Sequence, residues 1–318
     1  MRIPTLPGNG TGMTLLCLMI TGSALAVTIL ISGAAADAGT PMLWFLTAVL
    51  ALSGLVQLAA IAPSLRLRDL VRLLPYSLGA GAFMVVPSAL GYLAVAHVGA
   101  GYISLSFAFP ILLTWALARI MGIEPRDRRR ALGVLLGLAG GLLLAASKFG
   151  MIDGGAIGWL IAATAMPVIV ALGNIYRSRY WPRGAGAALL SPLMLLAGAA
   201  LILPLALWLE GSPAPLWTGA GLRLLLIVDV AVFVVQYYAY FTLQRIGGPV
   251  TLSLIGPVAA LVGSGAAVWL FGEALPGGFV LAGLLVAAGT VLMLRRPPQS
   301  QGSFQASTIP TASSAVST

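Results

Sequence analysis

One cysteine, one histidine and eight acidic residues in 318 leave little material for most enzyme chemistry. A single cysteine rules out a disulfide framework or a thiolate metal cluster. A lone histidine without clustered acids gives no metal-ligand set, and no machinery for a metal-dependent membrane hydrolase or lipid transferase. No Walker loop is present, so an ATP-driven pump is excluded. The Gly263-Ser264-Gly265 triplet has no base to serve it and reads as small packing residues. The expectation is therefore a protein that is no enzyme, with no cofactor and no metal. Charge is scarce too, at 8% of residues, against about 25% in soluble domains.

What fills the chain is apolar. Hydrophobic residues make up 59% and mean hydropathy is +1.02. A soluble fold of this length has no interior large enough for so much apolar surface, so the chain reads as a polytopic membrane protein whose first partner is the lipid bilayer. The sequence pI of about 10.4 suggests nucleic acid at first sight. The basic residues, however, fall in the breaks between apolar runs, where they report membrane topology. No nucleic-acid partner is expected.

Ten stretches are long enough to cross a bilayer: 11–33, 40–62, 74–96, 99–121, 130–147, 155–176, 186–208, 222–243, 248–271 and 278–294. The breaks are polar or rich in Pro and Gly, as in EPRDRRR and YRSRYWPRG. Ten spans place 15 of the 17 Lys and Arg residues on one side, Arg177 among them, and leave Lys148 and Arg223 on the other. The positive-inside rule then puts both termini in the cytoplasm. Trp44, Trp159, Trp208, Trp217 and Trp269 near the outer ends, and Trp181 near the inner, suit interfacial anchors. Arg2, an apolar run and Ala34-Ala35-Ala36 also fit a cleaved signal peptide. That run is longer than a usual signal core, and its removal would leave nine spans in unequal halves. The segment 297–318, rich in Ser, Thr, Gln and Pro, reads as a disordered cytoplasmic tail.

Two stretches look like copies of one module. VGAGYISLSFAFPILLTWALARIMGIEPRDRRRALGVLLGLAGGLLLA starts at Val98, and IGGPVTLSLIGPVAALVGSGAAVWLFGEALPGGFVLAGLLVAAGTVL starts at Ile246. Each carries Gly, then Ser, then Pro (Pro110, Pro257), then an acid (Glu124, Glu273), then a Gly-rich apolar helix. The offset between copies runs from 147 (Pro110 to Pro257) to 150 (Gly133 to Gly283). The halves are 1–150 and 151–296. Five spans per half is an odd number, so the second half enters from the opposite side and the repeats are inverted. Glu124 and Glu273 suit the positive ends of the helices that follow them; a gate or coupling role is the other reading.

Polar groups inside an apolar span cost about 2.5–3.5 kcal/mol when charged. Asp229 is the one acid so placed. Gln236 lies seven residues on and Tyr240 four further, which puts all three on one helical face beside Tyr237. That stripe reads as a substrate-cavity wall, with Asp229 taking an ammonium group or a coupling proton, or else as an interhelical hydrogen bond that holds the bundle. Tyr92 is positioned to face Asp229 from the third span. Pro87 and Pro167 mark helix kinks or gates, as do Pro110 and Pro257. Ser106 and Ser253 are weaker cavity candidates. Thr14, Thr21, Thr28 and Ser32 form a mildly polar face of the first span, read as packing. Asn174 reads as interfacial and His97 as an exposed loop residue. Gly133, Gly137 and Gly141, with Gly283 and Gly289, read as close-packing faces within the chain; a dimer face, and hence a homodimer, is the other use of such faces. Every basic residue reads as loop or helix end, which argues against strongly anionic cargo.

These residues resemble the drug/metabolite transporter superfamily, specifically the EamA-type permeases. The likeness rests on the helix with Pro110 or Pro257, the Glu124 or Glu273 that closes it, and the following Gly-rich helix. The segment YYAYFTLQRIGGPVTLSLIGPVAALVGSGAAVWLFGEAL carries it furthest. The first helix reads LLCLMITGSALAVTIL where that family commonly has a Trp-Gly pair. Small multidrug carriers of the superfamily use a membrane Glu in the first helix for proton antiport. This chain has no acid there, so any proton coupling would rest on Asp229. The resemblance implies an all-α membrane protein of ten transmembrane helices in two inverted five-helix repeats. It also implies an inner-membrane secondary transporter, an exporter of small neutral or cationic metabolites such as amino acids. The alternative is a non-transporting scaffold or lipid-handling protein of the same fold.

Overall fold

Nearly every long apolar run becomes a helix, because backbone groups in a bilayer must bond within their own segment. The computed structural model describes residues 10–64, 67–107, 109–122, 127–149, 157–217, 219–271 and 278–294. Eleven α-helices lie in these segments: α1 Gly10–Asp37, α2 Met42–Ala60, α3 Leu67–Val98, α4 Ala100–Ser106, α5 Pro110–Ile120, α6 Arg128–Phe149, α7 Ile157–Arg179, α8 Ala187–Glu210, α9 Ala220–Leu252, α10 Ile255–Phe271 and α11 Phe279–Leu294. No strand occurs among the described residues. α1, α2, α3, α7, α8 and α9 are long and apolar enough to cross a membrane. The protein is thus an all-α membrane protein. Glu124, Glu273, the boundary at 150/151 and the tail 297–318 lie outside the described residues.

The stretch 99–121, expected as one span, is two helices. α4 stops at Ser106 and α5 restarts at Pro110, where a proline suits the first helical turn because its missing N–H is unpaired there anyway. The boundary between the expected eighth and ninth spans also moves. α9 continues past residue 243 to Leu252, bent at Gly248 with φ 73° and ψ −177°. That conformation belongs to glycine almost alone. Gly99, between α3 and α4, has φ 82°. Each Gly thus breaks the chain just before the Ser–Pro part of its copy.

The helices pair in a regular way. α6 lies along α11 and α2 along α8; α1 packs on α9 and α10, while α3 packs on α7 and α8. Glycines set the closest approaches. A Cβ on Gly289 would stand 2.4 Å from the Gly133 carbonyl oxygen and 2.9 Å from the Gly137 nitrogen, and one on Gly81 would stand 2.8 Å from the Gly198 nitrogen. The glycine faces of α6 and α11 are therefore filled within the chain. At one end of the bundle, Glu210 at the C-terminus of α8 accepts from the Leu43 and Trp44 N–H groups, each at 2.9 Å. It satisfies the free donors at the start of α2, where a negative charge also suits the helix dipole. The Trp44 indole donates to the Gly211 carbonyl at 3.0 Å. His97, exposed at the end of α3, stacks flat on Trp159 with ring centres 4.8 Å apart.

Candidate functional site

Where α1, α3, α7, α9 and α10 converge, they enclose two cavities. The larger, about 80 Å³, is lined by Pro87 and Ser88 of α3, Pro110 of α5, Asn174 and Arg177 of α7, Gln236, Tyr237 and Tyr240 of α9, and Ser253 beyond it. The smaller, about 30 Å³, is lined by Thr28 and Ser32 of α1, Tyr92 of α3, Met166 of α7 and Phe233 of α9. Leu25, Pro87, Ser88, Phe107, Gln236 and Tyr237 line both, so the two spaces share a wall. The larger has room for more than one water.

Gln236, Tyr237 and Tyr240 are brought together on the cavity side of α9, as their spacing requires. Gln236 is 3% exposed and its Oε1 makes no hydrogen bond. Asp229 lies on the same face but lines neither cavity. It is fully buried, and its Oδ2 accepts from the Tyr92 hydroxyl at 3.1 Å. Thr28 sits beside the same carboxylate, yet neither its hydroxyl nor Asp229 Oδ1 reaches hydrogen-bond geometry. Ser106 is buried and spends its hydroxyl on the Tyr102 carbonyl. Ser253 lines the larger cavity and bonds the Pro249 and Val250 carbonyls. Pro167 and Pro257 are buried in α7 and α10. Thr21 and Ser32 bond back to Cys17 and Ile29 of their own helix.

One expectation is overturned in α7. Asn174 is 2% exposed, not interfacial, and Arg177, a helix-end residue in the last turn of α7 as expected, is 3% exposed and lies inside the bundle. An Nη2 of Arg177 donates to Asn174 Oδ1 at 2.8 Å and to the Tyr240 hydroxyl. Tyr240 in turn donates to the same Asn174 oxygen at 3.1 Å. The guanidinium carbon stands 5.2 Å from the centre of the Tyr240 ring, within cation–π range. Gly173, one turn back, leaves the guanidinium its place: a Cβ there would lie 3.1 Å from Nη1. Around this triangle, Asn174 Nδ2 donates to Thr114 at 3.4 Å, Gln244 donates to Ser178 at 3.1 Å, and Tyr76 donates to the Arg177 carbonyl at 3.3 Å. The sequence places Arg177 only three residues from Tyr180-Trp181-Pro182, and that polar break makes it read as loop or helix end. The signal that it missed is the period: Asn174, Arg177 and Ser178 share one face of a helix that runs through to Arg179.

A second network ties α2, α8 and α9 together. Gln57 donates to the Val234 carbonyl at 2.8 Å and accepts from Ser191 at 2.6 Å, and Ser53 donates to the Val230 carbonyl at 3.2 Å. Both bonds to α9 use main-chain carbonyls, so they hold the helix without using its side chains. Among the described residues no group of three or more His, Cys, Asp and Glu could hold a metal.

No protein-family model matches this chain, and no curated protein matches it. A solved structure described only as the crystal structure of a protein is similar to it, with TM-score 0.67 and 18% identity over 91% of this chain and 98% of its own. At that identity the likeness speaks to the fold alone.

Proposed function

We propose that this protein is a secondary carrier that moves small polar metabolites across a membrane by alternating access between two inverted five-helix halves. The observation that carries this reading is the cavity between the helices, whose mostly apolar wall carries the polar side chains of Asn174, Arg177, Gln236 and Tyr240. Its Gln236 carbonyl oxygen is buried with no partner, which is costly unless something enters to meet it. Amino acids are the class suggested by the resemblance to EamA-type permeases, and an inner membrane is the location that the same resemblance suggests.

The helix pairing supports the repeats. Counting α4 with α5 as one crossing gives ten, with α7 following in the second half where α1 leads the first. Under that exchange α2–α8 and α6–α11 map onto themselves, and α1–α9 maps onto α3–α7. Two of the glycines with positive φ, Gly99 and Gly248, are 149 apart, and Tyr92 and Tyr240 are 148 apart, both inside the 147–150 offset of the copies. Tyr92 and Tyr240 each anchor one polar cluster. Two halves of one shape, sharing a cavity at their junction, can trade conformations and open that cavity to either side in turn.

The test is counterflow in proteoliposomes. Purified protein is loaded with an unlabelled amino-acid panel and assayed for uptake of labelled members. Saturable exchange above empty liposomes is the expected result. Exchange of no panel member, by protein that is folded and inserted, overturns the carrier reading for this class.

A further inference from the structure

A guanidinium is expensive to keep in an apolar interior, and a protein normally sets a carboxylate against it. Arg177 has no such partner among the described residues. Its contacts are an amide oxygen, a phenol oxygen and a phenol ring, all neutral. Its Nε is buried and makes no hydrogen bond. The side chain lines the larger cavity.

We propose that Arg177 is an oxyanion subsite, and that the transported molecule carries a carboxylate which the guanidinium binds. This rests on the carrier reading above and narrows its substrate class. Arginine offers five donors in a rigid plane and cannot shed its proton. Asn174 and Tyr240 occupy Nη2 and fix that plane, which leaves the buried Nε–H without an acceptor until a ligand supplies one. Gly173 keeps room for the head group against α7. Charge selects the anion: one guanidinium balances one carboxylate, whereas a phosphate monoester carries about −1.5 to −2 at neutral pH. Asp229 cannot hold the ammonium end of the same small amino acid. It lies eleven residues from Tyr240 on α9, about 16 Å along the axis, and lines neither cavity. The ammonium end must instead meet neutral acceptors, of which the free Gln236 oxygen in the same cavity is the one at hand.

Binding to detergent-purified full-length protein tests this apart from transport. Unfolding temperature is followed while each amino acid of a panel, its primary amide, short-chain carboxylates from formate to butyrate, inorganic phosphate, or phosphatidylglycerol micelles are titrated in. At least one carboxylate should stabilise the wild type, at a half-saturating concentration at least tenfold below that of its amide. In Arg177→Gln, acid and amide should become equal, while Arg177→Lys should recover part of the preference. The wild-type contrast between acid and amide needs no variant, so it decides the matter even if Arg177→Gln does not fold. No stabilisation by any carboxylate, equal response to acid and amide, or a stronger response to phosphate or to the anionic lipid each overturns the proposal. A carboxylate preference without counterflow keeps the subsite and overturns the carrier; counterflow without that preference does the reverse.

Discussion

The Tyr92 hydroxyl donates to Asp229 Oδ2 at 3.1 Å, joining α3 to α9 across 137 residues of sequence. This bond closes the side of the bundle next to the smaller cavity. Tyr92→Phe removes the donor and leaves a buried carboxylate with one fewer partner. Such bonds between membrane helices average about 0.6 kcal/mol and reach about 1.7, and the burial here favours the upper part of that range. Asp229→Asn keeps an acceptor for Tyr92 and removes a buried ionisable carboxyl group with no cation bonded to it among the described residues. It should cost less than Tyr92→Phe. Reversible unfolding in mixed micelles measures both; a larger loss for Asp229→Asn would mean that the carboxyl group has a further partner in the folded state.

Gln236 lines both cavities and its buried Oε1 has no hydrogen-bond partner. Gln236→Leu fills similar space and offers no hydrogen bond. Loss of one bond to a buried partner is worth about 1–3 kcal/mol, so counterflow should fall roughly tenfold or more while the unfolding temperature holds or rises. Unchanged flux would take Gln236 out of the substrate path.

Gly289 and Gly158 make a matched pair. A Cβ at Gly289 would press on the main chain of Gly133 and Gly137, which cannot give way as a side chain can. Gly289→Ala should destabilise by about 1–3 kcal/mol through separation of α6 and α11. Nothing lies within 4 Å of a Cβ at Gly158. Gly158→Ala, in a helix, should be neutral or stabilising by up to about 1 kcal/mol. The same unfolding assay ranks them, and equal effects would mean that α6 and α11 do not pack as described.

Glu210 holds the start of α2 from the end of α8. Glu210→Ala should cost about 1–2 kcal/mol, the range for lost helix-start acceptors. Glu210→Gln, which retains one oxygen, should cost about half of that. Neither change touches the cavities, so counterflow per folded molecule should stay at the wild-type level. A fall in flux at constant stability would assign this contact to the moving parts of the cycle.

Composition and period alone determine much of this molecule. Six helices long enough to cross a membrane follow from long apolar runs, since lipid leaves the backbone no partner but itself. The face joining Asp229, Gln236 and Tyr240 follows from spacings of seven and four, and the Gly–Ser–Pro order marks where both Gly99 and Gly248 turn. The sequence could not decide which polar groups the bundle encloses. Arg177 sits at a helix end, where a positive residue ordinarily meets headgroups and water. It is buried because Tyr240 of α9, Asn174 of its own helix and the bare Gly173 close around it. Asp229, the strongest candidate by sequence, lies one hydrogen bond behind Tyr92 in the wall of the smaller cavity and lines neither cavity itself. A helical period gives each residue a face, but how far that face lies from a cavity depends on residues 60 to 140 positions away that tertiary packing alone brings near.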